Sequence, residues 1–218
     1  MKIKWLGHAS FLIESGAGVR VITDPYESGG FGGAIGYGPI QEAAAVVLVS
    51  HEHSDHSYVA GIPGNPRVIQ GPGTFLVSGI EFSGVACFHD SSGGRERGKN
   101  TMYAFEMDGT RLCHVGDLGH QPSDIQIEAL GPVEVLLAPV GGKYTLDAAG
   151  ATLLAERLSV KVVIPMHYST DRCTLPIAGV DGFLAGKERV RKLGSSEVEI
   201  NKESLPAEME TIVLDPAL

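Results

Sequence analysis

The chain opens as a series of short apolar runs separated by glycines, which is the pattern of a strand-rich protein. Three runs rich in β-branched and aromatic residues, Lys2 to Leu6, Ser10 to Glu14 and Val19 to Thr23, predict strands. Gly16 and Gly18 predict a turn between the second and the third. The first part of the chain is therefore expected to contain a β-hairpin.

The rest of the chain mixes strands with helices. Further strands are predicted at Ala45 to Val49, Arg67 to Ile69, Gly79 to Phe82, Val85 to Phe88, Val133 to Ala138 and Lys161 to Pro165. Apolar residues at helical spacing, with Leu146 or Asp147 as the cap, predict a helix that runs to Leu158. The tail from Phe183 is expected to hold a short helix, Lys187 to Leu193, and one or two edge strands. The mixture indicates an α/β protein.

Two glycine-rich stretches fit neither strands nor helices. Gly29 to Gly38 is too irregular to begin a phosphate-binding helix, and we expect a mobile flap near the functional site. Ser91 to Lys99 is a second, polar loop. Composition does not determine the shape of such loops, so the sequence does not identify the substrate.

A weak internal repeat suggests how the strands are arranged. The segments Phe11 to Asp24 and Tyr103 to Asp117 share the order strand, glycine turn, strand, aspartate. Each is followed by another apolar strand, Ala45 to Val49 in the first case and Val133 to Ala138 in the second. The repeat predicts two similar halves, each a sheet with helices behind it, joined face to face. Chance similarity between two hairpins is the alternative.

Composition narrows the classes of function. The 218 residues fit one domain covering 1–218, and 43% apolar residues are enough for a substantial core. A formal net charge of −9 and a pI near 5.3 disfavour nucleic acid as the main partner. A small-molecule substrate is the expected partner.

The cellular setting is predicted from what the sequence lacks. Met1 to Phe11 is expected to be a strand rather than a signal peptide, and no apolar run of about 18 residues suggests a membrane span, so we expect no membrane association. Cys87, Cys113 and Cys173 are an odd number of thiols without CxxC spacing, which favours a reduced, cytoplasmic setting.

One short segment concentrates side chains that bind metals. His51, His53, Asp55 and His56 directly follow the apolar run Ala43 to Val49. On an extended chain His51 and His53 point to the same face, and the next turn can bring Asp55 and His56 toward a second point. The segment can therefore serve two metals. The alternative is an ordinary polar surface loop.

Three more candidate ligands, His89, Asp117 and His167, each close a predicted strand. Together with the first segment they give seven candidate ligands at four strand ends, where a coincidence is improbable. Imidazoles with carboxylates suit zinc, iron or manganese, and the absence of a thiolate cluster argues against a closed structural zinc site.

These motifs resemble those of the metallo-β-lactamase superfamily, and within it the small prokaryotic metal-dependent hydrolases related to L-ascorbate-6-phosphate lactonase. The similar segments are Trp5 to Ser10, Thr23 to Pro25, the HxHxDH run, Phe88 to Ser92, His114 to Leu118, Leu137 to Gly141 and Ile164 to Thr170. They cover nearly the whole chain in order and spacing. The fold that the resemblance implies is a four-layer αββα sandwich, in agreement with two similar halves.

The resemblance also implies two divalent metal ions, zinc first, with manganese or iron as the alternatives. It assigns one ion to His51, His53 and His89 and the other to Asp55, His56 and His167, with Asp117 bridging the two. Metallo-β-lactamases proper often use a cysteine where this chain has Asp117. Antibiotic hydrolysis is therefore not the expected activity.

Two other residues match family positions. His8 is expected either to face the site, where it would hold substrate or donate a proton, or to be a buried histidine satisfied by the backbone. Asp24 is expected to orient a ligand histidine through the ring nitrogen that does not bind metal. His114 is either a core residue or a second support of this kind.

The predicted reaction is hydrolysis of a small ester, lactone or phosphoester. Two neighbouring divalent ions lower the pKa of a bridging water so that hydroxide is available near neutral pH, and Asp55 or Asp117 is expected to take the water's proton. Lys143, Tyr144 and Tyr168 are the candidate substrate contacts, with solvated or pocket-lining roles as the competing interpretations.

Two alternative functions come from other classes. A phosphodiesterase or nuclease of the same superfamily should have a basic face or an insertion that grips RNA, and this chain is short and acidic. A non-catalytic metal-binding protein is the second alternative, and the complete ligand set argues against it.

Overall fold

The computed structural model describes residues 1–218 as two β-sheets that share one core. The first sheet contains β1 (Lys2–Gly7), β2 (Ser10–Glu14), β3 (Arg20–Thr23), β4 (Val46–Val49), β5 (Arg67–Gln70) and β13 (Glu197–Glu199). The second contains β6 (Gly73–Val77), β7 (Ile80–Phe88), β8 (Lys99–Met107), β9 (Thr110–His114), β10 (Val135–Pro139), β11 (Val162–Met166), β12 (Val190–Lys192) and β14 (Glu210–Val213). The spatial orders are β13-β1-β2-β3-β4-β5 and β12-β14-β11-β10-β9-β8-β7-β6.

The helices are short. They are α1 (Gly30–Gly33), α2 (Asp124–Leu130), α3 (Ala148–Leu158) and α4 (Asp181–Leu184), with single 3₁₀ turns at Val59–Gly61 and Lys202–Ser204. Helix α2 packs on β7 and β8, and α3 packs on β10. The predicted cap of α3 is confirmed, since the Asp147 side chain accepts a hydrogen bond from the Gly150 amide at 2.8 Å. None of the helices combines the length and the apolarity that a membrane span requires.

The pairing pattern supports the prediction of two similar halves. In the first sheet, β1, β2 and β3 pair antiparallel, and β3, β4 and β5 pair parallel. In the second sheet, β7, β8 and β9 pair antiparallel, and β9, β10 and β11 pair parallel. Five consecutive strands thus repeat the same order and the same directions. The two segments of the sequence repeat are β2–β3 and β8–β9, at equivalent places in the two halves.

Strand β2 shows how the layers are joined. Phe11 and Ile13 point into a cluster of 44 buried residues that both sheets share, whereas Leu12 belongs to a second cluster of 11 on the other face. This is the period-two alternation of a strand buried on both sides. Tyr26 and Ile35 cover the second face, so this outer layer consists of loops and single helical turns. The αββα sandwich is confirmed, with one thin outer layer.

The prediction of a helix from Lys187 to Leu193 is wrong. The segment contains strand β12, which pairs in parallel with β14, with Val190 opposite Thr211. Its residues favour a helix locally, but an isolated helix of about two turns is marginal, whereas the sheet edge supplies backbone partners. The tertiary edge therefore overrides the local preference.

Strands Gly79 to Phe82 and Val85 to Phe88, predicted separately, form the single strand β7. Gly84 is the reason for the apparent break. A Cβ at this position would lie 2.7 Å from the Gly71 carbonyl oxygen and 3.1 Å from the Tyr103 ring. Glycine here permits a close backbone approach inside a continuous strand.

Only part of the Gly29 to Gly38 loop can act as a flap. Its first residues form the exposed turn α1, but Ile35 and Tyr37 are fully buried. The Tyr37 hydroxyl lies 3.0 Å from the Thr170 hydroxyl, and the Gly36 amide donates to the Arg172 carbonyl at 2.7 Å. The expectation of a mobile flap therefore does not hold for the second half of the loop.

Candidate metal centre

The seven predicted ligands lie on one rim of the sandwich for a topological reason. Since two successive antiparallel pairings restore direction, β1, β3 and β4 run the same way in the first sheet, as do β7, β9 and β11 in the second. The residues that follow these strands include His8, Asp24, His51, His89, Asp117 and His167. The C-terminal strand ends of both sheets supply the site.

Three of these residues have left-handed backbone conformations. The φ angles are 51° for His8, 36° for Asp24 and 51° for His167. Such a conformation costs a non-glycine residue about 1–3 kcal/mol and tends to occur at functional sites. The His167 amide also donates to the His8 carbonyl at 3.1 Å, which ties the ends of β1 and β11 together. The strained turns aim all three side chains at the site.

The potential donor atoms form two main groups, and a third set, Asp24, His51 and His56, overlaps both. His51, His53 and His89 make up one, and His8, Asp55, His56 and His167 make up the other. Within each group, one nitrogen or oxygen from every residue lies within 4.8 Å of those from the others. Both sheets contribute to both groups, so the two sheets together form the candidate site.

Asp117 lies between the two groups. Its Oδ2 atom is 3.0 Å from His89 Nε2, 3.3 Å from His56 Nε2, 3.4 Å from His167 Nε2 and 3.8 Å from His51 Nε2. Its Oδ1 atom is buried and has no hydrogen-bond partner, and neither has His56 Nε2. Unpaired buried polar atoms are costly, so these atoms call for a partner that the protein itself does not supply.

Asp24 has the opposite arrangement, because every oxygen is used by the protein. Oδ1 accepts from the Ser50 amide at 2.7 Å, and Oδ2 lies 2.6 Å from the Ser50 hydroxyl. His56 Nδ1 and His114 Nε2 lie 3.0 and 2.8 Å from the same Oδ2. The Ser50 hydroxyl is in turn 2.9 Å from His51 Nδ1. Asp24 thus orients one histidine of each donor group, directly or through Ser50.

Comparison with known proteins identifies the family of this chain. Residues 2–167 match the model of the β-lactamase superfamily domain. A UPF0173 metal-dependent hydrolase of Thermococcus onnurineus is 28% identical over 92% of this chain and 95% of its own. Another, from Methanospirillum hungatei, is 31% identical over 78% of this chain and 84% of its own.

A solved structure from Thermotoga maritima is also similar. It is 37% identical and covers 98% of this chain and 97% of its own, with a TM-score of 0.80. That protein is described, provisionally, as a zinc-dependent hydrolase of the metallo-β-lactamase superfamily. The chain belongs to the metallo-β-lactamase superfamily. Its curated relatives are named metal-dependent hydrolases, and it is a member of that family.

The charge state of this superfamily member's site suits a cation. Burial opposes ionisation of Asp117, but His167 and His56 hold the pKa of its carboxyl well below the usual range. Burial and the nearby His56 lower the pKa of His51 to about 3. Ionised carboxylates and neutral imidazoles are the forms that bind metals. His56 differs, because Asp117 and Asp55 outweigh burial and raise its pKa, so a cation there would displace a proton.

His8 lies inside the site, as one of its two predicted placements requires. It is fully buried, and its Nε2 is 3.0 Å from Asp55 Oδ2. Its ring centroid is 4.2 Å from that of His167. Burial and His167 together lower its pKa to about 4, so at neutral pH the neutral ring donates to the Asp55 carboxylate. The backbone does not satisfy this ring.

The predicted substrate contacts fall in two places. Tyr144 is half-buried, with the Lys143 ammonium 5.4 Å from its ring centroid and the Arg97 guanidinium 5.2 Å away. Tyr168 instead packs in the core, with its ring centroid 5.1 Å from that of Trp5. None of Lys143, Tyr144 and Tyr168 lines the cavity beside the metal donors. The prediction that Tyr168 contacts substrate does not fit this placement, because its ring packs against Trp5.

Sequence reasoning missed some supports of the site. Asn100 accepts from the Asp117 amide through Oδ1 at 3.2 Å and donates to the Val115 carbonyl through Nδ2 at 2.9 Å. A Cβ on Gly116, whose φ is 54°, would collide with Ser50 and Asn100. The Gly-Asp dipeptide was a signal for this close approach, whereas nothing local marks Asn100.

Proposed function

We propose that this protein is a metal-dependent hydrolase that uses two divalent cations. One would be held by His51, His53 and His89 and the other by Asp55, His56 and His167, with Asp117 between them. The observation that carries the proposal is the position of Asp117 Oδ2, within 3.0–3.8 Å of imidazole nitrogens from both groups. One carboxylate that lies between imidazole nitrogens of both groups is the arrangement expected of a bridging ligand.

Zinc is the proposed metal, with manganese and iron as alternatives. The donor set consists of imidazoles and carboxylates, which all three metals accept. The description of the similar Thermotoga maritima structure names zinc, which supports that choice. Metal analysis of the protein as isolated and after loading would distinguish the three.

Two bound cations would lower the pKa of a shared water and polarise the bond under attack, which makes hydrolysis of a small ester, lactone or phosphoester the proposed reaction. In this chain, Asp117 and Asp55 are the carboxylates able to take up the proton of the attacking water. His8 holds Asp55 through Nε2, so we assign it a positioning role rather than that of the acid. A neutral His8 with a pKa of about 4 is a poor proton donor near pH 7.

The first test is the metal content of matched variants. The loaded wild-type protein is expected to hold two cations per chain, His51→Ala no more than one, and Glu52→Gln two. Glu52 is the matched control because it lies between two proposed ligands and its carboxylate hydrogen-bonds Gln70 instead, at 3.1 Å. Fewer than one transition metal in the loaded wild type would refute the dinuclear proposal.

The second test is hydrolysis. A panel of lactones, aryl esters and phosphodiesters should contain at least one substrate that the loaded protein hydrolyses, and Asp117→Ala should abolish that activity. Bound metal without hydrolysis of any compound would favour a metal-binding role. Activity confined to phosphodiesters would favour the phosphodiesterase alternative.

A further inference from the structure

A cavity beside the proposed metal centre has a lining that points to the substrate. Its volume is about 760 Å³, which is in the range that holds a small organic molecule. His51 and His53 line one side of it, and Arg97 and Lys99 line another. A ligand in this cavity would contact the metal-binding side chains and the two cationic residues together.

The charge of this lining is opposite to that of the protein. The chain has a formal net charge of −9, yet the cavity has two cationic side chains and one carboxylate, Glu52. Glu52 is already hydrogen-bonded to Gln70 at 3.1 Å. A local positive wall on an acidic protein attracts an anionic ligand and raises its local concentration.

The segment that carries Arg97 is held against a proposed metal ligand. The Asp90 carboxylate accepts five hydrogen bonds from the loop that follows it. Their donors are the Ser92 amide and hydroxyl and the amides of Gly94, Glu96 and Arg97, at 2.7–3.1 Å. In addition, the His89 amide donates to the Gly98 carbonyl at 3.1 Å. The loop is therefore fixed relative to the backbone of His89.

The guanidinium group of Arg97 is oriented as well. It lies 5.2 Å from the centroid of the Tyr144 ring, within the range of a cation–π contact. Its only protein acceptor is Glu96, at 3.4 Å in an exposed pair, and pairs of this kind contribute little. The remaining N–H groups are available to a carboxylate or a phosphate, which a guanidinium can bind with two parallel hydrogen bonds.

We propose that the substrate of this hydrolase carries an anionic group, a carboxylate or a phosphate, that binds Arg97 at the cavity wall. Lys99 adds to the positive charge there. This inference rests on the proposed function, since it places the bond to be hydrolysed near His51 and His53. Arg97 is then a specificity residue, which selects substrates by charge.

The test compares three para-nitrophenyl esters with metal-loaded protein. The esters of hexanoic, adipic and phosphonohexanoic acids offer a neutral, a carboxylate and a phosphonate tail on similar chains. Wild type should prefer at least one charged ester over the neutral one in kcat/KM, and the favoured tail identifies the anion. Arg97→Gln should reduce this preference at least about tenfold, the effect of one charge-assisted hydrogen bond.

Arg95→Gln is the matched control, because Arg95 lies on the same loop but donates through Nε to the Ser92 carbonyl at 2.9 Å and does not line the cavity. It should change the preference less than twofold. Equal effects of the two variants, or none from Arg97→Gln, would overturn the proposal.

A binding measurement separates this proposal from the proposed hydrolysis. Calorimetric titration with glutarate and with inorganic phosphate needs no turnover. Arg97→Gln should weaken binding of at least one of them about tenfold or more, and Arg95→Gln less than twofold. If no ester is hydrolysed but this difference is found, the ester chemistry fails and the anion site stands. Unchanged binding in Arg97→Gln would refute the anion site even if the esters are hydrolysed.

Discussion

The two halves of the sandwich place an aspartate at the same position and use it differently. Asp24 follows β3 and Asp117 follows β9, which are equivalent strands of the repeat. Both carboxylates are buried and near imidazoles. Both oxygens of Asp24 are occupied by protein donors, whereas Asp117 Oδ1 has none. Asp24 and Asp117 thus differ in the number of protein hydrogen-bond donors around the carboxylate, not in their place in the fold. This number distinguishes a residue that orients ligands from a proposed ligand.

The histidines after the first strand of each half differ in the same way. His8 follows β1 and His89 follows β7. His8 Nε2 is directed at Asp55, whereas His89 Nε2 faces Asp117 and the first donor group. In the half that contains HxHxDH, Asp24 and His8 thus orient proposed ligands. In the other half, Asp117 and His89 themselves face the proposed metal centre.

Asp117→Asn should have the largest effect of the variants on metal binding and hydrolysis. An amide cannot replace a carboxylate between two cations, so we expect the loss of at least one metal and a fall in hydrolysis on the order of 10²- to 10³-fold. Metal analysis and kcat/KM would measure both. The exposed Asp171→Asn is the control and should change neither. Retention of two cations by Asp117→Asn would show that this residue is not the bridge.

Asp24→Asn should act on stability as well as on metal binding. The amide turns a donor toward Ser50, His56 or His114, so we expect unfolding free energy to fall by about 2 kcal/mol and metal affinity to fall about 10- to 100-fold. Urea unfolding of the metal-free protein isolates the first effect. Asp117→Asn also removes a buried charge beside His56, but it should shift the same curve by less than Asp24→Asn, because Asp117 Oδ1 has no protein donor to lose. Equal shifts for the two variants would remove the distinction between the aspartates.

Ser50→Ala tests whether Asp24 orients His51 through the Ser50 hydroxyl. The Ser50 hydroxyl lies between Asp24 Oδ2 and His51 Nδ1, so its removal should weaken metal binding about tenfold while the ligands themselves remain. Competition with a chromogenic chelator would measure the affinity. Wild-type affinity in this variant would mean that His51 is oriented without the relay.

His114→Gln should have the smallest effect. His114 contacts Asp24 but belongs to neither main donor group, and glutamine can still donate to the carboxylate. We expect a loss of about 1 kcal/mol in stability and less than a threefold change in metal affinity. Loss of a bound cation from this variant would instead identify His114 as a ligand.

The sequence predicts those parts of the structure whose causes are local. The HxHxDH run places four potential metal ligands within six residues. The capped, periodic segment of α3 also forms a helix, as expected. The repeat identifies the two halves because strand, turn and aspartate recur in order. Even α2, which was not predicted, has a local signal, since Ser123 and Gln126 form a capping box.

Features that depend on distant contacts could not be predicted. His114 contacts Asp24, which lies 90 positions earlier in the chain, so the local sequence does not reveal its role. Strand β12 exists because β14 lies beside it, and Tyr168 is buried because Trp5 packs on it. The position of Arg97 in the cavity wall depends on the hydrogen bonds between the Asp90 carboxylate and its loop, which cannot be predicted from composition.

The distribution of the donors along the chain bears on how the protein is made. His8 and the HxHxDH run leave the ribosome early, but the carboxylate that would join the two cations comes at position 117 and the last imidazole at position 167. A nascent chain therefore carries the three imidazoles of the first proposed site, His51, His53 and His89, before the second site is complete. Only after β11 has been synthesised and has joined the second sheet does a complete set of donors exist. Binding of the second proposed cation would therefore have to wait for the part of the chain that ends at His167.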